Sequence, residues 1–210
     1  MSKKTFEPLS GLTKRKIKGN FTMNAKLDRR KKYTRMALKD GLIKLLQEKP
    51  ISAITVKEIC GIADINRSTF YSHYLDHYDL LNKIEEEIIE DMAGYLNECT
   101  YEKDEDDLLL IERLLEYFHS KHEVCTTLLN ENMDTTFQKK VTIFAHQSFM
   151  KNWRASHTLD KEIADYVSTF IISGSIDVIR KWLNNGMDKP PKEMAEVIST
   201  LIKKGFSGLL

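Results

Sequence analysis

Residues 66–73, NRSTFYSH, bring together side chains that form hydrogen bonds in several geometries. The guanidinium of Arg67 can bind O6 and N7 of a guanine through two parallel hydrogen bonds. The serine and threonine that follow it are short, so a helix carrying them can lie deep in a major groove. Tyr71 and His73 can donate hydrogen bonds to phosphate oxygens. These residue types indicate recognition of a nucleic acid, provided that one helix presents them on one face.

The residues around this segment predict two short helices joined by a turn. Thr55 and Glu58 have the spacing of a capping box, in which each side chain binds a free N–H at the start of a helix. Residues 63–65 form the expected turn, and Asn66 is the N-cap of a helix over about residues 67–73. This is the pattern of a helix-turn-helix. An ordinary helical hairpin with a polar exposed face has the same pattern and remains an alternative.

One helix is expected before this pair and another after it. The first begins near residue 29 and ends before Pro50, because proline lacks an N–H and disfavours the helical conformation of its predecessor. Asp76 caps the fourth helix. Phe70 and Tyr74, four residues apart, can both face the core. The apolar stripe of the first helix consists of Leu38, Leu42, Leu45 and Leu46.

The charge of the chain is strongly asymmetric. Lys and Arg number 32 and Asp and Glu 31, which gives a net charge of +1. Residues 1–35 contain twelve basic and two acidic side chains and are therefore +10, which leaves −9 for the other 175 residues. Such an end is typical of an arm that binds a polyanion, although a solvated tail has the same composition. Arg29 and Arg30 lie where arms of other proteins enter a minor groove, and general phosphate attraction is the alternative.

The remaining composition predicts an all-α protein. The chain has only nine Gly and four Pro, fewer than the turns of an all-β protein require. Three cysteines without a CxxC pair argue against a disulfide framework or a zinc site of ordinary spacing. No apolar run is long enough to span a membrane, and no signal peptide is evident, so a cytoplasmic location is expected. Met23 is a second possible start, which leaves open whether residues 1–22 belong to the native protein.

The stretch TVKEICGIADINRSTFYSHYLDHYDLL, residues 55–81, resembles the DNA-binding domain of TetR/AcrR transcriptional regulators. The TFYSHY segment is the most specific part of this resemblance. Asp64 departs from the family by replacing a turn glycine, and His77 departs by replacing a phosphate-binding lysine. The resemblance implies a homodimer that binds a palindromic operator. It implies DNA contacts from Thr55, Asn66, Arg67, Ser68, Thr69, Tyr71, Ser72, His73 and, more weakly, His77.

The rest of the chain is predicted to be helical, and its last two helices differ from the others. A Ser-Gly-Ser sequence at 173–175 lies inside a helix, where glycine costs about 1 kcal/mol relative to alanine. A close approach of a partner helix explains it, and a kink or an internal contact explains it equally well. The family resemblance implies dimerisation through these two helices. The residues expected at the dimer interface are Phe170, Gly174, Val178, Val197, Leu201 and Gly205.

Seven aromatic residues are candidates for lining an effector cavity, which the resemblance implies between the middle helices. Each has helical spacing and apolar neighbours, so core packing is the competing interpretation. The effector itself cannot be read from the residues. The seven candidates are Tyr95, Phe118, Phe137, Phe144, Phe149, Trp153 and Tyr166.

No motif of a known catalytic site is present, and neither a cofactor nor a metal is expected. His119, His122 and Cys125 are spaced by three residues, but a continuous helix separates the first and last by about 240°. An enzyme with a Cys–His nucleophile is the competing class.

The sequence thus predicts a three-part chain. Residues 1–28 form a flexible basic tail, residues 29–76 a helix-turn-helix domain (the head), and residues 77–210 a helical regulatory and dimerisation domain (the body). The expected function is that of a repressor that binds a palindromic operator as a homodimer and is released by a small effector. An activator or a helical adaptor working through a protein partner is the alternative.

Overall fold

The computed structural model describes the backbone of residues 12–97, 106–130, 136–156 and 161–206. Every regular element in these ranges is helical, which confirms the predicted all-α class. A short 3₁₀ turn, Ile51–Ala53, separates the first two α-helices. The α-helices are α1 (Leu12–Leu46), α2 (Val56–Ala63), α3 (Arg67–Tyr71), α4 (His77–Asn97), α5 (Asp106–Ser120), α6 (His122–Leu128), α7 (Phe137–Ser156), α8 (Lys161–Asn184) and α9 (Pro191–Phe206).

The first helix is longer than the sequence pattern predicts. It begins at Leu12 rather than near residue 29, so residues 12–28, which were expected to form a flexible tail, have a helical backbone. This segment contains no proline, and Gly19 alone does not end a helix. Extending an existing helix costs far less than nucleating one, so the stable part of α1 supports the extension. Residues 1–11 lie outside the described residues.

The core of the head forms where α1 packs against α2 and α3. Leu42, Ile59 and Phe70 are fully buried there, as the predicted stripe and spacing require. Gly41 permits the close approach of α1 and α2, because a Cβ at this position would lie 3.2 Å from the carbonyl oxygen of Ile59.

The helix α4 runs from the head into the body. Its first turn is capped by Asp76, whose carboxylate accepts a hydrogen bond of 2.8 Å from the N–H of Asp79. An ion pair between Lys39 of α1 and Glu87 of α4 ties the two parts together. The helix begins at His77, where the body is expected to start, although the domain boundary itself remains a prediction.

A buried carboxylate joins α4 to α7. Glu85 is 1% exposed and accepts hydrogen bonds from the N–H and the hydroxyl of Thr136, at 3.1 and 2.6 Å. Lys140 neutralises it at 2.9 Å. Thr136 immediately precedes α7, so Glu85 binds N–H and O–H donors at the positive end of that helix.

The turn between α8 and α9 follows the predicted glycine cap. Gly186 has a φ of +74°, and the N–H of Met187 donates to the carbonyl of Trp182 at 2.9 Å. The indole N–H of Trp182 donates to the carbonyl of Lys189, which fixes the turn from inside. The next helix begins at Pro191, as expected for proline in a first turn.

Within the described ranges, no helix combines the length and the apolar character needed to cross a bilayer.

Candidate nucleic-acid interface

The start of α2 is fixed by the predicted capping box. The N–H of Glu58 donates to the hydroxyl oxygen of Thr55 at 3.3 Å, and the N–H of Thr55 donates to the Glu58 carboxylate at 3.0 Å. Lys49 pairs with the same carboxylate at 2.6 Å. Hydrogen bonds from Lys49 and Thr55 lower the pKa of Glu58 to about 2. The entry to the helix-turn-helix is therefore held by an ionised carboxylate.

The turn between α2 and α3 requires a left-handed residue, and Asp64 supplies it. Its φ and ψ are 52° and 43°, a conformation that aspartate adopts more readily than most residues with a side chain. Asn66 then caps α3, because its side-chain oxygen accepts from the N–H of Ser68 at 2.9 Å. The departure from the family glycine thus preserves the turn.

The polar residues of α3 and its C-terminal flank lie on the outside of the head, as predicted. Phe70 is fully buried and Tyr74 is 6% exposed, and their rings lie 5.7 Å apart. Tyr71 is 58% exposed and contacts the edge of Phe70 at 5.5 Å. The other exposed residues of this surface are Asn66, Arg67, Ser68 and Ser72, and Thr69 and His73 are half-buried.

Three of the hydroxyl groups predicted to contact DNA already donate hydrogen bonds within the head. Ser68 donates to Asn66 at 3.0 Å, and Ser72 donates to the carbonyl of Thr69 at 2.6 Å. The Thr55 hydroxyl donates to Glu58 at 2.8 Å. These hydroxyl oxygens can accept hydrogen bonds, whereas donation to a phosphate requires each group to rotate. Arg67 and Tyr71 are exposed donors.

Two basic residues of α1, Lys31 and Arg35, act electrostatically on His73, although the sequence pattern did not single them out. Burial, followed by the positive charges of Arg35 and Lys31, lowers the pKa of His73. Its imidazole is therefore neutral near pH 7 and offers one N–H donor. The spacing of Lys31 and Arg35, four apart on one helix, is the only sequence signal that could have paired them.

The structure corrects the expected position of the two arginines of the arm. Arg29 and Arg30 are exposed, but they lie inside α1 rather than ahead of it. His77 is half-buried at the start of α4, and its ring lies 4.3 Å from that of Tyr78. The predicted interface residues thus lie on α3 and its C-terminal flank, just before α2, at the start of α4 and in the middle of α1.

A second exposed surface consists of apolar residues on α8 and α9. Phe170 is 78% exposed, Leu201 63% and Val197 42%. Gly174 and Gly205 are also exposed, and a Cβ at either position would meet no atom within 4 Å. Val178 is half-buried. This apolar face, defined by Tyr166, Phe170, Val197 and Leu201, contains three of the residues expected at the dimer interface.

Five of the seven aromatic candidates for an effector cavity have described side chains, and two of these five line a cavity. Phe118 and Phe144 belong to the wall of a cavity of about 260 Å³ that opens among the body helices. Phe137 is buried elsewhere, Tyr95 donates to Glu116, and Tyr166 is 78% exposed on the apolar face. The side chains of Phe149 and Trp153 lie outside the described residues. Helical spacing alone does not distinguish a residue that faces a cavity from one that faces outward.

The competing metal and nucleophile interpretations lack support from the placement of their residues. His119 and His122 are exposed, whereas Cys125 is fully buried. Burial raises the pKa of the Cys125 thiol to about 12, so it is protonated and unreactive at neutral pH. No group of three metal-ligating side chains occurs in the described part of the chain.

Comparisons with known proteins agree with this fold. Residues 105–204 match the family TetR_C_8, described as the transcriptional regulator C-terminal region. An uncharacterised HTH-type transcriptional regulator of Bacillus subtilis, YxbF, is 28% identical over 203 residues. The match covers 93% of this chain and 50% of YxbF, so the chain spans about half the length of that relative.

Solved structures show the same architecture. A TetR transcriptional regulator from Streptococcus agalactiae has a TM-score of 0.67 at 24% identity, over 85% of this chain and 98% of its own. A TetR-family regulator from Syntrophomonas wolfei has a TM-score of 0.65 at 18% identity, over 85% and 97%. Residues 105–204 are thus similar to the C-terminal region of TetR-type transcriptional regulators, and the chain shares the fold of the solved TetR-family structures.

Proposed function

We propose that this protein binds a palindromic DNA operator as a homodimer and represses transcription until a small effector binds the body. The proposal rests mainly on the outer face of α3, which we call the reading face. This face presents Arg67 and Tyr71, both exposed, while Phe70 and Tyr74 hold it on the core.

The proposed DNA contacts follow from the chemistry of this face. Arg67 reads a guanine edge, and its short neighbours Ser68 and Thr69 admit the helix to the groove. Tyr71 and neutral His73 donate to phosphate oxygens, as does His77 at the start of α4. Asn66 and Ser72 complete the face.

A second phosphate contact is proposed at the start of α2. The hydroxyl and N–H of Thr55 are both bound to Glu58, so Thr55 acts here by fixing the helix. The first-turn N–H groups of Val56 and Lys57 need no helical partner and lie at the positive end of the helix. A phosphate at this position complements both features.

The basic end of the chain strengthens this binding. Arg29, Arg30, Lys31 and Arg35 all lie on α1, and the last two act electrostatically on His73 beside the reading face. Attraction between these cations and DNA phosphates is independent of sequence and decreases with salt.

The reading face is tested with Arg67→Ala on the operator obtained by sequencing selected duplexes. Affinity measured by fluorescence anisotropy is expected to fall by about fivefold to 150-fold, since a bidentate base contact is worth about 1–3 kcal/mol. Arg113→Ala, which removes the same charge from the body helix α5, is the matched control and is expected to bind normally. Unchanged affinity for Arg67→Ala would refute the assignment. Weak binding without sequence preference by the unaltered protein would favour a helical adaptor.

The contribution of the basic residues that precede Arg29 is tested by deleting residues 1–28. Affinity is expected to fall on every duplex, and the slope of log affinity against log salt to flatten by about 0.9 per lost phosphate contact. An unchanged slope would show that the basic residues within 1–28 do not contact DNA.

The homodimer is proposed to form through the apolar face of α8 and α9. An exposed phenylalanine and leucine on adjacent helices are expected to be covered, because burying each stabilises association by about 1.5–3 kcal/mol. Phe170→Asp combined with Leu201→Asp is expected to yield monomers in sedimentation equilibrium. Ile143→Asp, at a residue 58% exposed on α7, is the control and should remain dimeric. A dimeric double variant would place the interface elsewhere.

Repression is proposed because a dimer that covers a promoter needs only a DNA-binding surface and a dimer interface. A reporter under the protein's own operator is expected to rise on deletion of the regulator. A fall would identify an activator. We propose that effector binding releases the protein from DNA through a movement of α4. The first residue of this helix, His77, adjoins the reading face, and Met92 lines the cavity about 22 Å away along the helix.

A further inference from the structure

The body contains a cavity of about 260 Å³ formed by five helices. Its wall includes Met92 of α4, Leu114 of α5, Phe144 of α7 and Ile176 of α8. Almost all lining side chains are aliphatic or aromatic. A ligand made mainly of hydrocarbon therefore fits this wall better than a sugar, a peptide or a nucleotide, which bring more polar groups than the wall can bind.

Four polar side chains line the cavity in the described residues, and the charged one among them is positive. They are Ser148, Ser175, Ser199 and Lys203. Lys203, exposed near the end of α9, is the single charged side chain of the lining within the described residues. No acidic side chain lines this cavity there, so a cationic ligand would find no counter-charge. One anionic group at the end of the ligand near Lys203 is complementary to this set.

The volume sets the length of the hydrocarbon. A methylene group occupies roughly the volume of a water molecule in the liquid, about 30 Å³. A cavity of about 260 Å³ therefore accommodates a chain of about eight or nine carbons.

We propose that the cavity binds a medium-chain monocarboxylate, with the alkyl chain among the body helices and the carboxylate beside Lys203. This assignment names the effector class of the function proposed above and rests on that function for its regulatory meaning. Binding itself does not depend on DNA and can be measured separately.

The chain-length dependence is the first test. Isothermal titration calorimetry of the full chain with straight-chain carboxylates of six to twelve carbons is expected to show affinity rising about fourfold per methylene, the fold-change that corresponds to 0.8 kcal/mol. The rise is expected to stop once the cavity is full, near eight or nine carbons. Affinity that is absent throughout the series, or that rises without a limit as in detergent binding, would overturn the proposal.

The head group is the second test. Each acid is compared with the primary alcohol of the same length, and the acid is expected to bind about fivefold more tightly through a partly solvated ion pair. Lys203→Met is expected to abolish this preference while leaving alcohol binding unchanged. Lys192→Met removes the same charge from the other end of α9 and is expected to keep the preference. Equal binding of acid and alcohol by the unaltered protein would refute the carboxylate assignment.

The cavity is located by a third variant. Ala145→Phe adds a ring to the lining and is expected to weaken every ligand of the series at least tenfold. Operator binding by the same preparation reports both folding and the proposed function. A protein that binds its operator but no carboxylate refutes the effector class alone. A protein that binds carboxylates as described but no operator refutes the proposed function alone.

Discussion

The head and the body differ in how completely they are filled. In the head, Leu42, Ile59 and Phe70 are fully buried, and local hydrogen bonds fix both ends of the turn between α2 and α3. The body also buries large side chains such as Trp182, yet it encloses a cavity of about 260 Å³. A filled core gives one arrangement of the residues above it, whereas a cavity can adapt to a ligand. The difference is consistent with the proposal that the head presents a fixed surface and the body binds an effector.

The outer faces of the head and the body differ in polarity. The reading face of α3 is polar and lies beside the cations of α1, which suits a polyanion. The face of α8 and α9 exposes Phe170 and Leu201, which suits another apolar surface. This contrast supports the two separate partners proposed above.

The largest expected effect distinguishes the inside of the head from its outside. Phe70→Ala removes a fully buried ring and is expected to lower the free energy of unfolding by about 4 kcal/mol. The adjacent Tyr71→Ala, at a residue 58% exposed, is expected to change it by about 0.5 kcal/mol or less. Urea unfolding followed by circular dichroism measures both.

Tryptophan fluorescence tells whether this loss stays within the head. Both tryptophans, Trp153 and Trp182, belong to body helices. Fluorescence midpoints that stay unchanged in Phe70→Ala would show that the head unfolds by itself. Midpoints that fall with the circular dichroism signal would show that α4 and the pair between Lys39 and Glu87 make head and body one cooperative unit.

The features of the head that sequence reasoning predicted are local ones. The Thr55–Glu58 capping box, the left-handed Asp64 and the Asn66 cap each involve residues at most three apart, so their spacing determines their geometry. The helical arm was missed because a charge count does not reveal that an established helix can extend through residues 12–28.

The features that could not be predicted depend on contacts between distant residues. Lys31 and Arg35 act on His73 across the head, and Glu85 meets Thr136 across 51 positions. Helical spacing predicted that Tyr166 lines a cavity or packs in the core, and only the packing of the helices shows that it is exposed. The position of the cavity depends on how five helices meet, which no single stripe determines.

The next largest effect tests how α4, the helix that follows the head, is fastened to α7. Glu85→Gln removes the charge that Lys140 neutralises and leaves fewer acceptors for Thr136. Because hydrogen bonds to a charged group contribute about 1.5–3 kcal/mol, unfolding is expected to become about 2 kcal/mol easier. Glu90→Gln, an exposed position on the same helix, is the control and is expected to have little effect. Equal stability of the two variants would show that α4 and α7 are held by apolar packing alone.

The smallest effect concerns the acid sensitivity of the head. The pKa of Glu58 is lowered from 4.5 to about 2 in the folded protein by Lys49 and Thr55. A lowered folded pKa means that the ionised carboxylate stabilises the fold fully above about pH 4.5, and that this contribution is lost as the pH falls towards 2. Glu58→Gln keeps a capping-box side chain but cannot ionise. Its thermal unfolding midpoint is expected to lie below that of the unaltered protein. This difference, the deficit, is expected to be constant from pH 7 to 5 and to shrink below pH 4.5.

Thermal unfolding at half-unit pH intervals, followed by circular dichroism, measures this deficit. Lys49→Met removes the partner of the same carboxylate and is expected to show the same narrowing, because either variant breaks the pair. A deficit that stays constant down to pH 2.5 would mean that the carboxylate is not selectively stabilised in the folded head. The start of α2 would then depend on the Thr55 side chain alone, and the phosphate site proposed there would not depend on an ionised Glu58.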